Sequence, residues 1–115
     1  MTYRVDITSP AEKDIYAAFD YIKEQSPANA KKWFEGIVAA ILSLSTLPHR
    51  CPIIPEAKEL GREMRQLLYG KRTGTFRIIF DITVTSTGQD QVRILCVRRG
   101  SRNRLQLEDL KDIEK

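Results

Sequence analysis

The chain is poor in the residues that build metal and redox sites. It contains one histidine, His49, and two cysteines, Cys51 and Cys96, far apart in the sequence. Without a CxxC pair or a Cys/His cluster, the spacing argues against a structural zinc site, and no metal or cofactor is expected. Cys96 falls in an apolar strand and reads as a small buried hydrophobe. Cys51 lies in a proline-rich stretch, and the sequence is compatible with a disulfide between the two. Long apolar runs are also missing, so no membrane partner is expected. The opening Met-Thr-Tyr-Arg-Val-Asp has neither the basic n-region nor the apolar h-region of a signal peptide, which predicts a cytoplasmic protein. Repeats and low-complexity segments are absent.

At 115 residues the sequence predicts one domain, 1–115, with a core of its own. A hydrophobic content of 42% with 30% charged residues is that of a water-soluble globular chain. Nineteen Lys and Arg against fifteen Asp and Glu give a net charge of +4. That modest excess favours an acidic partner without proving a nucleic acid. Its distribution is informative. From Arg62 to Arg104 there are ten basic residues and only three acidic ones, Glu63, Asp81 and Asp90.

Periodicity divides the chain into elements. Residues 2–8 alternate, with Tyr3, Val5 and Ile7 on one side, and predict a half-buried strand. Ser9-Pro10-Ala11-Glu12 has the form of a capping box and opens a helix over about 10–25, with Ala11, Ile15, Ala18, Phe19 and Ile22 as its apolar stripe. Ser26-Pro27 repeats the start signal, and a second helix is predicted to about Ser45. Ala30, Trp33, Phe34, Ile37, Val38, Ile41 and Leu44 form one broad face, which reads as core. The short link makes the pair an antiparallel hairpin. Three prolines make 47–60 an irregular connector, where His49 reads as a loop residue with no visible proton-transfer partner.

The stretch 62–82 reads as two strands joined by Lys71-Arg72-Thr73-Gly74. Phe76, Ile78, Phe80 and Ile82 share the face expected to meet the helices. Arg77, Ile79 and Asp81 share the other face, expected to stay partly open with Arg65. A polar loop at 85–90 leads to a last strand, 91–99, whose apolar middle places it centrally in the sheet. The tail from Leu105 has the spacing of a short amphipathic helix. The order is β-α-α-β-β-β, an α+β fold with a mainly antiparallel sheet packed on an N-terminal helical hairpin and a short C-terminal helix.

Five stretches in this order carry a family resemblance. They are Ser-Pro-Ala-Glu-Lys-Asp-Ile near the start, Leu-Pro after the second helix, Met-Arg-Gln-Leu, Phe-Arg-Ile-Ile-Phe-Asp-Ile, and Val-Arg-Ile-Leu-Cys-Val-Arg-Arg-Gly-Ser-Arg. Together, over roughly residues 3–104, they resemble the RelE/ParE toxin superfamily of bacterial type II toxin–antitoxin pairs, which also includes plasmid-stabilisation proteins. The resemblance implies a cognate antitoxin as partner. Such antitoxins commonly have a disordered C-terminal segment that folds around the toxin. An acidic amphipathic segment would suit the basic sheet face and the grooves beside the helices.

The superfamily has two modes of action, and the resemblance leaves both open. RelE-like members cut mRNA in the ribosome. On that reading Arg77 aligns with the strand arginine used on the phosphate, Arg102 with a second arginine after the last strand, and Arg65 falls near basic positions of the preceding strand. RelE-like enzymes also place a catalytic tyrosine or histidine beyond the last strand, whereas Gly100–Lys115 contains neither and offers Glu108 and Asp109 instead. ParE-like members inhibit DNA gyrase, and the two long helices joined at Ser26-Pro27 resemble theirs. The ParE-like action is the preferred reading. A RelE-like endoribonuclease and an inactive or weakly active homologue are the alternatives. The binding surface, for antitoxin or target, is expected at Arg65, Lys71, Arg72, Arg77, Arg98, Arg99 and Arg102.

Overall fold

The computed structural model describes residues 2–70 and 74–100. Strand β1 (Arg4–Ile7) leads into helices α1 (Ser9–Gln25) and α2 (Pro27–Leu42). Two 3-10 turns follow, Ser43–Ser45 and Pro48–Arg50, then a short helix α3 (Ala57–Leu60) and strands β2 (Arg65–Tyr69), β3 (Phe76–Val84) and β4 (Asp90–Arg99). The four strands form one sheet in the order β1-β4-β3-β2. β1 runs parallel to β4, and the other two pairings are antiparallel. The expected α+β order and mainly antiparallel sheet are therefore observed. The expected C-terminal helix lies outside the described residues.

The first helix starts one residue earlier than its capping box suggests. Thr8, not Ser9, is the N-cap, and its hydroxyl accepts from the Ala11 amide at 3.4 Å. The same hydroxyl donates to the Ile94 carbonyl of β4 at 2.7 Å. Thr8 thus ties the strand-to-helix turn to the sheet, a tertiary contact that local spacing does not reveal. The second cap is as expected: Ser26 accepts from the Asn29 amide, with Pro27 at the first helical position. The α-helix then ends at Leu42 and tightens into a 3-10 turn through Ser45.

Helices α1 and α2 cover one face of the sheet. Ala11, Ile15, Ile37, Ile41 and Leu44 meet Phe76, Ile78, Phe80, Val92, Ile94 and Val97 in the main core. The opposite face is not open. The segment between the second 3-10 turn and β2 folds over it and builds a smaller core from Ile54, Ala57, Met64, Ile79, Leu95 and Cys96. The segment is held by backbone bonds from the Ile54 amide to the Met64 carbonyl and from the Gln66 amide to the Pro52 carbonyl. So the connector is in part an ordered cover with its own helical turn.

A bulge lets β4 serve both cores. Ile79 pairs with Cys96, but the next residue, Phe80, pairs with Ile94, leaving Leu95 as the extra residue. Strand side chains alternate between faces, and one extra residue reverses the phase. Val92, Ile94 and Val97 therefore point to the helices, while Leu95 and Cys96 point to the second core. This accounts for the continuous apolar run from Ile94 to Val97.

Glycine at position 36 is required where α2 crosses β2. A Cβ there would overlap the Tyr69 hydroxyl, which donates to the Trp33 carbonyl at 3.1 Å. In an open helix, Gly→Ala stabilises by up to about 1 kcal/mol. Gly36→Ala is expected to do the reverse and destabilise by about 1–3 kcal/mol, because Tyr69 must leave its place. Chemical denaturation of the two proteins measures the sign.

Candidate functional site

The two strand arginines that the sequence singles out lie on opposite faces of the sheet, and each is engaged by its own chain: Arg77 is on the second face, while Arg65 pairs with Phe80 of β3 and so lies on the helix side. Arg77 stands on β3 between Leu68 of β2 and Arg98 of β4. It is 7% exposed. Its two terminal nitrogens donate to the two carboxylate oxygens of Glu56, each at 2.9 Å. Its Nε donates to Gln66 Oε1 at 2.7 Å. Glu56, 2% exposed, sits just before α3 and is positioned by Ile54 and Ala57 in the second core. The fork-to-fork arrangement satisfies both ions, as burial of a charged pair requires.

Asp81 is treated in the same way. At 6% exposure it accepts from Arg93 through both oxygens, at 3.0 and 2.6 Å, and from Arg62 at 3.3 Å. Arg65 works as a clasp on the connector, donating to the carbonyls of Cys51 (2.7 Å) and His49 (3.3 Å) and to Glu63 (3.0 Å). The expected open face shared by Arg65 and Arg77 is thus not observed: Arg65 is on the helix side, and Arg77 lies on a face that the connector largely covers. The physical reason for the pairing there is that an apolar cover can bury strand charges only if it brings partners of opposite sign with it.

Of the other expected binding residues, Arg98 is partly exposed and Arg99 is exposed at the end of β4, whereas Lys71, Arg72 and Arg102 lie outside the described residues. His49 faces the Tyr3 ring edge-on at 6.2 Å. Cys51 and Cys96 are buried free thiols, so the disulfide compatible with the sequence is not formed. Burial pushes the Cys51 thiol up, against the opposing pull of Arg50 and Arg65. Among the described residues no group of three or more His, Cys, Asp and Glu is placed to hold a metal ion.

Two concave sites flank the C-terminal end of β4. The smaller, about 500 Å³, lies beside Arg77 and Glu56 and is bordered by Pro55, Leu68, Thr75 and Gly100. The larger, about 790 Å³, runs between the helical hairpin and the sheet, where β1 has ended. Ala18, Tyr21 and Ile22 of α1, Trp33 of α2, and Phe76 and Val97 of the sheet give it apolar walls. Past the end of β1, no strand among the described residues lies along the edge of β4 turned away from β3, and Asp14 of α1 accepts from the Val97 amide at 2.9 Å. The Arg99 guanidinium lies over the Tyr21 ring at the groove's rim, 5.7 Å from its centroid. The indole Nε1 of Trp33 is buried without an acceptor among the described residues. The sequence marks Trp33 only as core; the structure also places it in the wall of this groove.

Truncating either member of the Arg77–Glu56 pair leaves a buried charge behind. Glu56→Ala and Arg77→Ala are each expected to cost about 3–5 kcal/mol, and the double replacement Glu56→Leu/Arg77→Met much less than their sum. Denaturant midpoints of the three variants test this non-additivity. Additive losses would mean that the two groups do not act as a pair.

No curated protein matches the chain. A family model does, that of the ParE toxin of type II toxin–antitoxin systems, over residues 5–104, which runs from β1 to just beyond the last strand. The β-α-α-β-β-β order, the long helical hairpin on the sheet and this match converge, and the chain belongs to the ParE toxin family of type II toxin–antitoxin systems.

Proposed function

We propose that this toxin stops growth by a ParE-like action on DNA gyrase and not by cutting mRNA. The observation that carries the reading is the state of Arg77. Phosphoryl transfer to a ribose 2′-OH needs cations free to meet the charge that develops on the phosphorane. Arg77 instead lies buried, with its fork filled by the Glu56 carboxylate. Arg65 is likewise turned onto the chain's own carbonyls. The 17- and 16-residue helices α1 and α2 support the same reading, since a long hairpin offers a protein target an extended surface. Purified protein is expected to inhibit supercoiling by gyrase, and its induction without antitoxin to arrest DNA synthesis while messages stay intact. Primer extension that shows cuts in translated messages, with supercoiling unaffected, overturns the reading in favour of the RelE-like one.

Membership of a type II toxin–antitoxin family implies an antitoxin partner. The groove between the hairpin and β4 is the proposed seat of its binding segment, because the second sheet face is already covered. Apolar side chains would fill the walls at Tyr21, Trp33 and Phe76, a carboxylate would face Arg99, and a carbonyl would accept from Trp33 Nε1. Trp33→Phe removes the donor and little volume, and Arg99→Glu reverses the rim charge. Each is expected to weaken the complex with the neighbouring antitoxin by about tenfold or more, read by calorimetry. Unchanged affinity in both variants moves the antitoxin elsewhere.

A further inference from the structure

We propose that the pocket beside Arg77 is an anion site filled by the chain's own Glu56, and that Glu56 is the specificity-determining residue that keeps phosphate ligands off this face. The inference rests on the non-nuclease reading and names the residue responsible for it. A guanidinium presents a planar fork that fits a carboxylate and a phosphate equally well. Here the fork is met in the bidentate manner, at 2.9 Å on both arms, by a side chain 21 positions earlier in the sequence. Gln66 takes the remaining Nε and fixes the plane of the group.

The pair is buried, and it also lines a concave site. The pocket of about 500 Å³ opens directly onto both Glu56 and Arg77, with Thr75 and Gly100 at its border. That space lies beside the carboxylate, so an anion larger than a carboxylate has room there once Glu56 is replaced. The other buried pair on this face is built differently. Asp81 is shared by Arg62 and Arg93, so there a single acid holds two cations. At Arg77 both oxygens of one acid are aligned on one guanidinium, and removal of that acid takes the carboxylate away from an arginine that is held in place and desolvated. Glu56 is placed by the second core through its neighbours Ile54 and Ala57. Its carboxylate therefore arrives with the fold, at high effective concentration, and a dissolved phosphate competes poorly against it.

Thermal unfolding in inorganic phosphate, and separately with a short oligoribonucleotide, tests the idea on wild type, Glu56→Gln, Glu56→Ala and the double variant Glu56→Gln/Arg77→Met. A ligand that binds only the folded state raises the midpoint with its concentration. The two single variants are expected to gain roughly 10 °C at phosphate a hundredfold above its Kd, with wild type and the double variant showing only the small general effect of the salt. A gain with phosphate alone defines a small-anion site. A gain with the oligoribonucleotide as well means that Glu56 also bars a polymer. Both uphold the proposal. Single variants that phosphate and the oligoribonucleotide leave no more stable or folded than they do wild type or the double variant overturn it, including the case in which neither ligand restores folding. The gyrase assay on wild type is independent of this titration. Gyrase inhibition can fail while the anion response stands, and the reverse.

Discussion

Strands β3 and β4 are buried on both faces, and that constraint governs what the rest of the chain must do. All six residues from Phe76 to Asp81 are buried. Two apolar layers are needed to achieve this, and one helical hairpin supplies only one of them. The other comes from the connector between the second 3-10 turn and β2. The bulge at Leu95 sends successive side chains of β4 to both layers, so a single strand anchors two cores. Most apolar content of the chain can be traced to this double duty.

Covering the second face has an electrostatic consequence. β3 and β4 carry Arg77, Asp81 and Arg93 on that side, and an apolar cover over bare charges would cost several kcal/mol for each ion. The cover therefore brings Glu56 and Arg62, and the three strand charges become members of pairs. Local charge counting overstates the basic character of the sheet, because its partners come from outside the strands. Near the end of β4 Arg99 is exposed, at the rim of a groove with aromatic walls. The surface best suited to a protein partner is thus beside the helices.

The toxin family and the closed arginine site fit together in physical terms. An arginine whose fork is filled by a carboxylate of its own chain contributes to folding, so its presence in a strand says little by itself about chemistry.

The helices, their apolar stripes, the cap at Ser26 and the apolar faces of β3 were legible in the sequence, because each depends on residues a few positions apart. The same holds for the family, whose ordered stretches lie along those elements. The fate of Arg65 and Arg77 was not legible. Glu56 lies in a proline-rich connector with no periodicity, and nothing local links it to a strand 21 residues later. The N-cap at Thr8 and the bulge at Leu95 escaped for the same reason, since the cap answers to the contact of Thr8 with β4 and the bulge to the pairing of β3 with β4. Sequence alone determined which elements form and which faces are apolar, through local spacing and backbone preference. Only the tertiary structure decided which charges remain available to a partner, because the pairing of buried charges is settled by which segments the two cores bring together.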